Sequence, residues 1–192
     1  MQPTALPVLI AGGGIAGLAA ALALAQKGQA SRVYERAAHF SELGAGVQLG
    51  PNAVGVLRAL GLQADLQTIA CQPQALQVRA VGSGAALSRM VLGAAMQQRH
   101  GLPYLTAHRG QLHRLLLHAA QAQDLIALHS DTTAETYAPQ EAAVELLLSQ
   151  GRQALGSALL ACDGVWSRLG PQINSQLPPA EYSGHLAYRA LL

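Results

Sequence analysis

Charge is the first thing this sequence lacks. Asp, Glu, Lys and Arg make up 11% of it, under half the usual share of about 25%. The 12 basic and 10 acidic residues nearly cancel. No cluster of Lys and Arg stands ready to neutralise phosphates along a duplex, which argues against nucleic acid as a partner. Cysteine is as scarce. Cys71 and Cys162 lie far apart, so neither a disulfide framework nor a CxxC pair is available, and a reducing cytosol is expected. The histidines carry no metal signature: His108, His113 and His118 step by five residues, whereas ligands on one helix face need steps of three or four. The lead Met1 to Ala5 holds no Lys or Arg, unlike the basic start of an export signal. Internal repeats and low-complexity linkers are missing too. Disorder is excluded from the other side: 51% of the 192 residues are hydrophobic and the net charge is only +2. Such a chain can bury a sizeable core in one domain, or in one and part of another.

What is present begins with an uncharged run from Leu6 to Ala25, close to the roughly 20 apolar residues of a membrane span. The run divides, however, at Gly12, Gly13, Gly14 and Gly17. Leu6 to Ala11 is short and apolar, like a buried parallel strand. Ile15 to Gln26 is rich in Ala and Leu, with strong helix propensity. The glycines at the seam spell G-x-G-x-x-G, from Gly12 to Gly17. In such a turn the first glycine allows the tight bend, the second lets the backbone approach a pyrophosphate, and the third lets the helix pack on the strand. The helix N-terminus, with Ile15 and Ala16 in its first turn, offers N–H groups and a partial positive charge to the anion. Strand, glycine turn and helix therefore predict a nucleotide site rather than an anchor. After the helix, Gly28 is a stop, and "SRVYER" predicts a second strand ending at Glu35. A carboxylate there can accept hydrogen bonds from an adenosine ribose. An acid at this point also argues against the 2′-phosphate of NADP.

Further along, Pro51 opens a helix that Gly61 closes. "ALQVRAV" and "ALSRMVL" flank "GSGA" as a hairpin. "HRGQLHRLLLHAAQA" predicts a helix with Leu112, Leu115, Leu116 and Ala119 on one face. "DLIALH" follows, then a hairpin of "AAVELLLS" and "QALGSALLA" around Gln150-Gly151. Arg109 falls in the first turn of its helix, where the macrodipole disfavours a cation; a nearby anion would offset that, and a solvated arginine is the alternative. Asp163-Gly164, after an apolar strand, places a carboxylate and a permissive glycine at a strand end; a plain turn is the alternative.

Taken together, "IAGGGIAGLAAALALAQKG", "YERA", "GAGVQLGPNAVGVLRALGL", "LPYLTAHRGQLHRLL", "CDGVWSR" and "SGHLAYRALL" resemble the single-component, FAD-dependent aromatic hydroxylases, nearest the salicylate and 3-hydroxybenzoate hydroxylase branch. The resemblance implies an α/β fold: a Rossmann-like FAD-binding domain with a parallel sheet plus β-meander, and the start of a substrate-domain sheet. It implies residues 1–180 as the FAD-binding domain, with partial substrate-domain strands inserted near 75–106, and 181–192 as the first strand of an incomplete substrate domain. Gly12, Gly14 and Gly17, with Ile15 and Ala16, would hold the FAD pyrophosphate. Glu35 would hold the ribose, and Arg36 would line the adenine end. Val47 and Gln48 would lie near the flavin, and Arg109 would reach the ribityl–phosphate region. Asp163 and Gly164 belong to a second fingerprint serving FAD and the incoming NADH or NADPH. His185 and Tyr188 would be substrate-side groups, pointing to opposite faces of their strand. The implied activity is hydroxylation of a phenolic or aromatic acid with NAD(P)H and O2, through a C4a-hydroperoxyflavin, by a cytoplasmic protein with no metal and neither nucleic acid nor membrane as partner.

The chain departs from that pattern in places. Cys162 stands where the family favours a small residue, and Gly170 where it usually has an arginine. Ser31 stands where the second strand would point a Val inward. Family members run to roughly twice this length, and a later Gly-Asp motif is missing. The expectation is therefore a truncated chain, inactive alone, with a homodimer or a complementing C-terminal chain as partner. Two other readings stay open: a non-catalytic remnant binding adenine nucleotide weakly, and an NAD-dependent dehydrogenase sharing the glycine turn.

Overall fold

In the computed structural model, which describes residues 6–41, 44–178 and 181–188, the uncharged run does divide at its glycines. Strand β1 (Val8–Ala11) is buried along its whole length, and helix α1 (Ile15–Ala25) follows. Strand β2 (Ser31–Tyr34) lies parallel to β1, with Val8 opposite Ser31 and Ala11 opposite Tyr34. Burial on both faces is why β1 is apolar at every position rather than at alternate ones. Gly28, at φ +73°, ends the α1 connection as expected.

The chain separates into two compact units. The first gathers the described residues among 6–41 and 113–188, the second residues 44–112. In the first, β8 (Ile126–His129) pairs with β2 and β12 (Ala158–Ala161) with β1, giving a parallel sheet of order β12-β1-β2-β8. An antiparallel meander accompanies it: β9 (Ala134–Pro139), β10 (Val144–Leu148) and β11 (Gln153–Gly156), with β10 central. Gln150 and Gly151 both take positive φ, 63° and 69°, at the turn between β10 and β11. Leu9, Ala11 and Tyr34 share one core cluster with Leu146, Leu148, Ala154 and Leu169.

One expectation is corrected here. "QALGSALLA" is not a single strand. β11 pairs antiparallel with β10, then the chain breaks at Ser157 and β12 joins β1 in parallel. Gly156 allows the close approach to β1 at this point, because a Cβ on it would strike the Leu9 side chain and lie 2.7 Å from the Pro7 carbonyl oxygen. The Ser157 N–H donates to that carbonyl at 2.9 Å.

In the second unit β3 (Gly46–Leu49), β7 (Leu105–His108) and β4 (Ala70–Cys71) form an antiparallel sheet with β7 central. Helices α2 (Pro51–Ala59), α3 (Gln63–Ile69) and α4 (Gly93–His100) accompany it. The hairpin of β5 (Ala75–Arg79) and β6 (Ala86–Val91) is antiparallel as expected, and Leu76, Val78, Leu87 and Met90 on it are exposed. Helix α5 (Arg109–Gln121) starts directly after β7. It buries Leu112, His113, Leu116 and Ala120, while Leu115 and Ala119 are half-buried. A short helix, α6 (Gly170–Ile173), follows β12. Residues 181–188 carry no strand, contrary to the sequence expectation, and 189–192 lie outside the described residues. A strand needs a partner for its backbone groups; among the described residues 181–188 pair with none, and Gly184 turns at φ +78°.

Among the described residues, no helix is long and apolar enough to cross a membrane. No group of three or more His, Cys, Asp and Glu among them is placed to hold a metal ion.

Candidate functional site

The turn between β1 and α1 is fixed atom by atom. Gly12 takes φ +101° and donates its N–H to the Tyr34 carbonyl at 2.8 Å. A Cβ there would collide with the carbonyl oxygen of Cys162, so the first glycine is required by both dihedral and space. Gly13 donates its N–H to Glu35 Oε2 at 2.8 Å. Its carbonyl meets His113 Nε2 at 2.8 Å. A Cβ on Gly13 would strike the Phe40 ring, and one on Gly17 would strike the Gly12 carbonyl oxygen. Gly14 is the N-cap of α1, with its carbonyl accepting the first helical bond from Leu18 N–H at 3.0 Å.

The N–H groups of Gly14, Ile15, Ala16 and Gly17 are then the four that a helix N-terminus leaves without an intrahelical acceptor. No side chain caps them, and α1 carries no acidic residue in its first turn. The positive end of the helix dipole is thus not neutralised by the helix's own side chains. An anion of phosphate size matches this donor set.

Glu35 sits immediately past β2, half-buried. Its Oε2 accepts from Gly13 and its Oε1 from the Ala37 N–H at 2.9 Å. A carboxylate offers about four lone-pair sites, so two stay available for a neighbouring hydroxyl pair. Arg36 is next in the chain and exposed. At the end of β12, the Asp163 carboxylate accepts from Ser167 Oγ at 2.6 Å, Arg168 N–H at 2.8 Å and Leu169 N–H at 3.3 Å. It therefore organises the 164–169 turn, where Gly164 takes φ +81°. The Cys162 thiol is pushed up in pKa, by burial first and by the Asp163 carboxylate second, which keeps it protonated and poorly nucleophilic.

The second unit holds Val47, Gln48 and Arg109. Val47 and Gln48 lie on β3, half-buried and exposed respectively. Tyr104 Oη donates to Gln48 Oε1 at 2.6 Å, leaving the amide NH2 as the group Gln48 presents. Arg109 opens α5, exposed, with its N–H donating to the Ala45 carbonyl at 3.1 Å. The helix end beside it is capped by His108, whose Nδ1 accepts from Gly110 N–H at 3.1 Å. His185 and Tyr188 are exposed, Tyr188 at 94%, and outside regular structure, so no strand sets them on opposite faces. The polar contact of the His185 ring is local, to the Ser183 carbonyl.

Sequence reasoning missed three residues here: His113, Phe40 and Tyr104. A signal existed for His113 alone. It stands three residues before Leu116 and seven before Ala120, so it occupies the apolar stripe of α5.

The family described as FAD binding domain matches residues 5–187 of the chain. The chain is 37% identical over 191 residues to the 3-hydroxybenzoate 6-hydroxylase of Polaromonas naphthalenivorans, covering 100% of this chain and 47% of that protein. It is 34% identical over 185 residues to the 6-hydroxynicotinate 3-monooxygenase of Bordetella bronchiseptica, covering 96% of this chain and 47% of that protein. The chain thus spans about half the length of these curated relatives. Among solved structures, the tetrameric form of 2-methyl-3-hydroxypyridine-5-carboxylic acid oxygenase matches with a TM-score of 0.76 at 26% identity, over 90% of this chain and 43% of that one. Klebsiella pneumoniae HpxO complexed with FAD and uric acid matches with a TM-score of 0.73 at 27% identity, over 87% and 41%. The parallel sheet, the glycine turn and these likenesses agree: the chain belongs to the FAD binding domain family, of the kind found in flavin-dependent aromatic hydroxylases.

Proposed function

We propose that this chain is the FAD-binding portion of a cytoplasmic flavin-dependent monooxygenase that hydroxylates a phenolic or aromatic acid with NADH or NADPH and O2. The observation that carries the proposal is the uncapped, acid-free start of α1, with four amides that lack an intrahelical acceptor, beside a carboxylate with two lone-pair sites to spare. When bound, FAD supplies the redox and oxygen chemistry, and the protein supplies binding, orientation and exclusion of water.

The amides of Gly14, Ile15, Ala16 and Gly17 bind the diphosphate, and Gly12 lets β12 pass close to the turn. Glu35 accepts ribose hydroxyls through its remaining lone pairs, and Arg36 lines the adenine. Val47 and the Gln48 amide serve the flavin end, Arg109 the ribityl–phosphate region, and the Asp163-Gly164 turn both FAD and the nicotinamide cofactor. His185 and Tyr188 are assigned to the substrate side on resemblance alone. Residues 1–180 form the FAD-binding portion, to which strands near 75–106 add part of a substrate-binding sheet, and 181–192 lead into it. A second copy or a complementing C-terminal chain is the partner assigned on the same basis.

The test is a flavin titration followed by fluorescence. FAD should bind saturably and ADP should compete, whereas FMN, which lacks the adenylate, should not. Equal binding of FMN, or no saturable FAD binding, overturns the assignment. NADH oxidation that rises with an added phenolic acid checks the chemistry separately.

A further inference from the structure

We propose that His113 is a positioning residue for the diphosphate: by donating Nε2–H to the Gly13 carbonyl, it fixes the Gly13–Gly14 peptide so that the Gly14 N–H faces the anion. This rests on the glycine turn being the seat of the FAD diphosphate.

Three other groups of the turn are held by the main chain or by Glu35. Gly12 N–H is taken by Tyr34, Gly13 N–H by Glu35, and the Gly14 carbonyl by Leu18. The Gly13 carbonyl belongs to neither ladder. Its peptide joins two glycines, the residues that resist rotation least. Left alone, it could accept from Gly17 N–H and extend the helix by one residue, consuming one of the four free amides. Instead it meets His113 Nε2 at 2.8 Å. In a trans peptide the C=O and N–H point in opposite directions, and no peptide of the described chain is cis. Anchoring the carbonyl on the α5 side therefore turns the Gly14 N–H the opposite way.

The ring is specified as well as placed. A carbonyl only accepts, so the Nε2 that faces it carries a proton. His113 is 1% exposed, and its Nδ1 has no hydrogen-bond partner among the described residues. Burying an unpartnered ring nitrogen is unfavourable, and a leucine in the same apolar stripe would avoid it. The imidazole is kept despite this, which is what a carbonyl anchor requires and a packing residue does not.

The experiment compares the wild-type chain with His113→Leu and His113→Gln in FAD and ADP titrations. The glutamine amide reaches the position of Nε2 and can donate to the same carbonyl. His113→Leu should weaken both ligands about tenfold or more, the equivalent of one buried hydrogen bond. His113→Gln should stay within about threefold of wild type. Nitrogen NMR of the ligand-free protein should show the His113 ring protonated at Nε2. A leucine variant of full affinity, a glutamine variant as weak as the leucine one, or a ring protonated only at Nδ1 overturns the role. If His113→Leu does not fold, the glutamine variant and the ring tautomer decide. A wild-type chain that binds neither ligand overturns the FAD assignment and this role with it; insensitivity confined to the variants overturns this role alone.

Discussion

Gly12→Ala is the substitution whose cost can be worked furthest from the structure. Gly12 holds φ at +101°, a region where an L-residue is strained by about 1–3 kcal/mol. The new methyl would also collide with the carbonyl oxygen of Cys162 and lie 2.7 Å from its carbonyl carbon. Neither side can yield cheaply. Gly12 is tied to the Tyr34 carbonyl, and the Cys162 N–H donates to the Ala11 carbonyl at 2.7 Å. Such overpacking adds about 1–3 kcal/mol. A combined loss of about 4 kcal/mol, the middle of the summed range, lowers the melting temperature of a domain this size by about 8–16 °C. Gly28→Ala is the control, because Gly28 has a similarly positive φ of +73° but nothing within 4 Å of its would-be Cβ. It should lose only about 2–8 °C, the strain share of roughly 1–2 kcal/mol alone. Circular dichroism melts of the two variants make the comparison. Equal shifts, or a Gly12→Ala melt within 2 °C of wild type, would refute the claim that the β1–α1 turn is packed against the end of β12.

Gly14→Val should behave differently: Gly14 has φ −75°, free of the left-handed strain at Gly12, so its melt should fall less than that of Gly12→Ala while FAD affinity falls at least about tenfold, because the side chain would crowd the phosphate side; flavin fluorescence measures this. Ser31 is 2% exposed and its hydroxyl has no partner among the described residues, so Ser31→Ala should raise the melting temperature by about 2–4 °C, removing roughly 1 kcal/mol of buried, unpaired polarity. His129 titrates below the ordinary imidazole value of 6.5, through burial first and then the Arg32 and Arg152 charges. With the folded value depressed, the unfolded chain binds the extra proton first, so stability is full above about 6.5 and falls as pH drops through that value until the folded ring also protonates; His129→Gln should flatten melting temperature against pH between 7 and 5, and an unchanged slope would count against it.

The parts of the fold that were legible in the sequence are those whose signals are local. Strand, glycine turn and helix from Val8 to Ala25 lie in one stretch, each with its own composition, and the same holds for α2 between Pro51 and Gly61. The 153–161 segment was not legible in the same way. Both halves are apolar, and periodicity does not register that β11 pairs with β10 while β12 pairs with β1. α3 and α4 were missed because each buries one residue, Leu66 and Gly93 respectively, so neither has an apolar stripe to detect. At the site, Glu35 was legible as an acid in register with the turn. Its bonds to Gly13 and Ala37 were not, nor was the approach of His113 across a hundred positions of chain.

The composition of the first turn of α1 gives a physical reason to regard this end of the helix as built for a ligand. An Asp or Glu there would stabilise the isolated helix by about 0.3–1 kcal/mol through the macrodipole, and α1 has none. The carboxylate that bonds the turn is instead Glu35, past the end of β2, and it binds Gly13, one residue before the helix cap. From there it tightens the turn without covering the amides of Gly14 to Gly17. A sequence optimised only for stability would move that charge forward by two or three residues, onto the helix itself. Keeping it back leaves the positive end of the dipole open, and an arriving diphosphate can then collect both the dipole and the four amides.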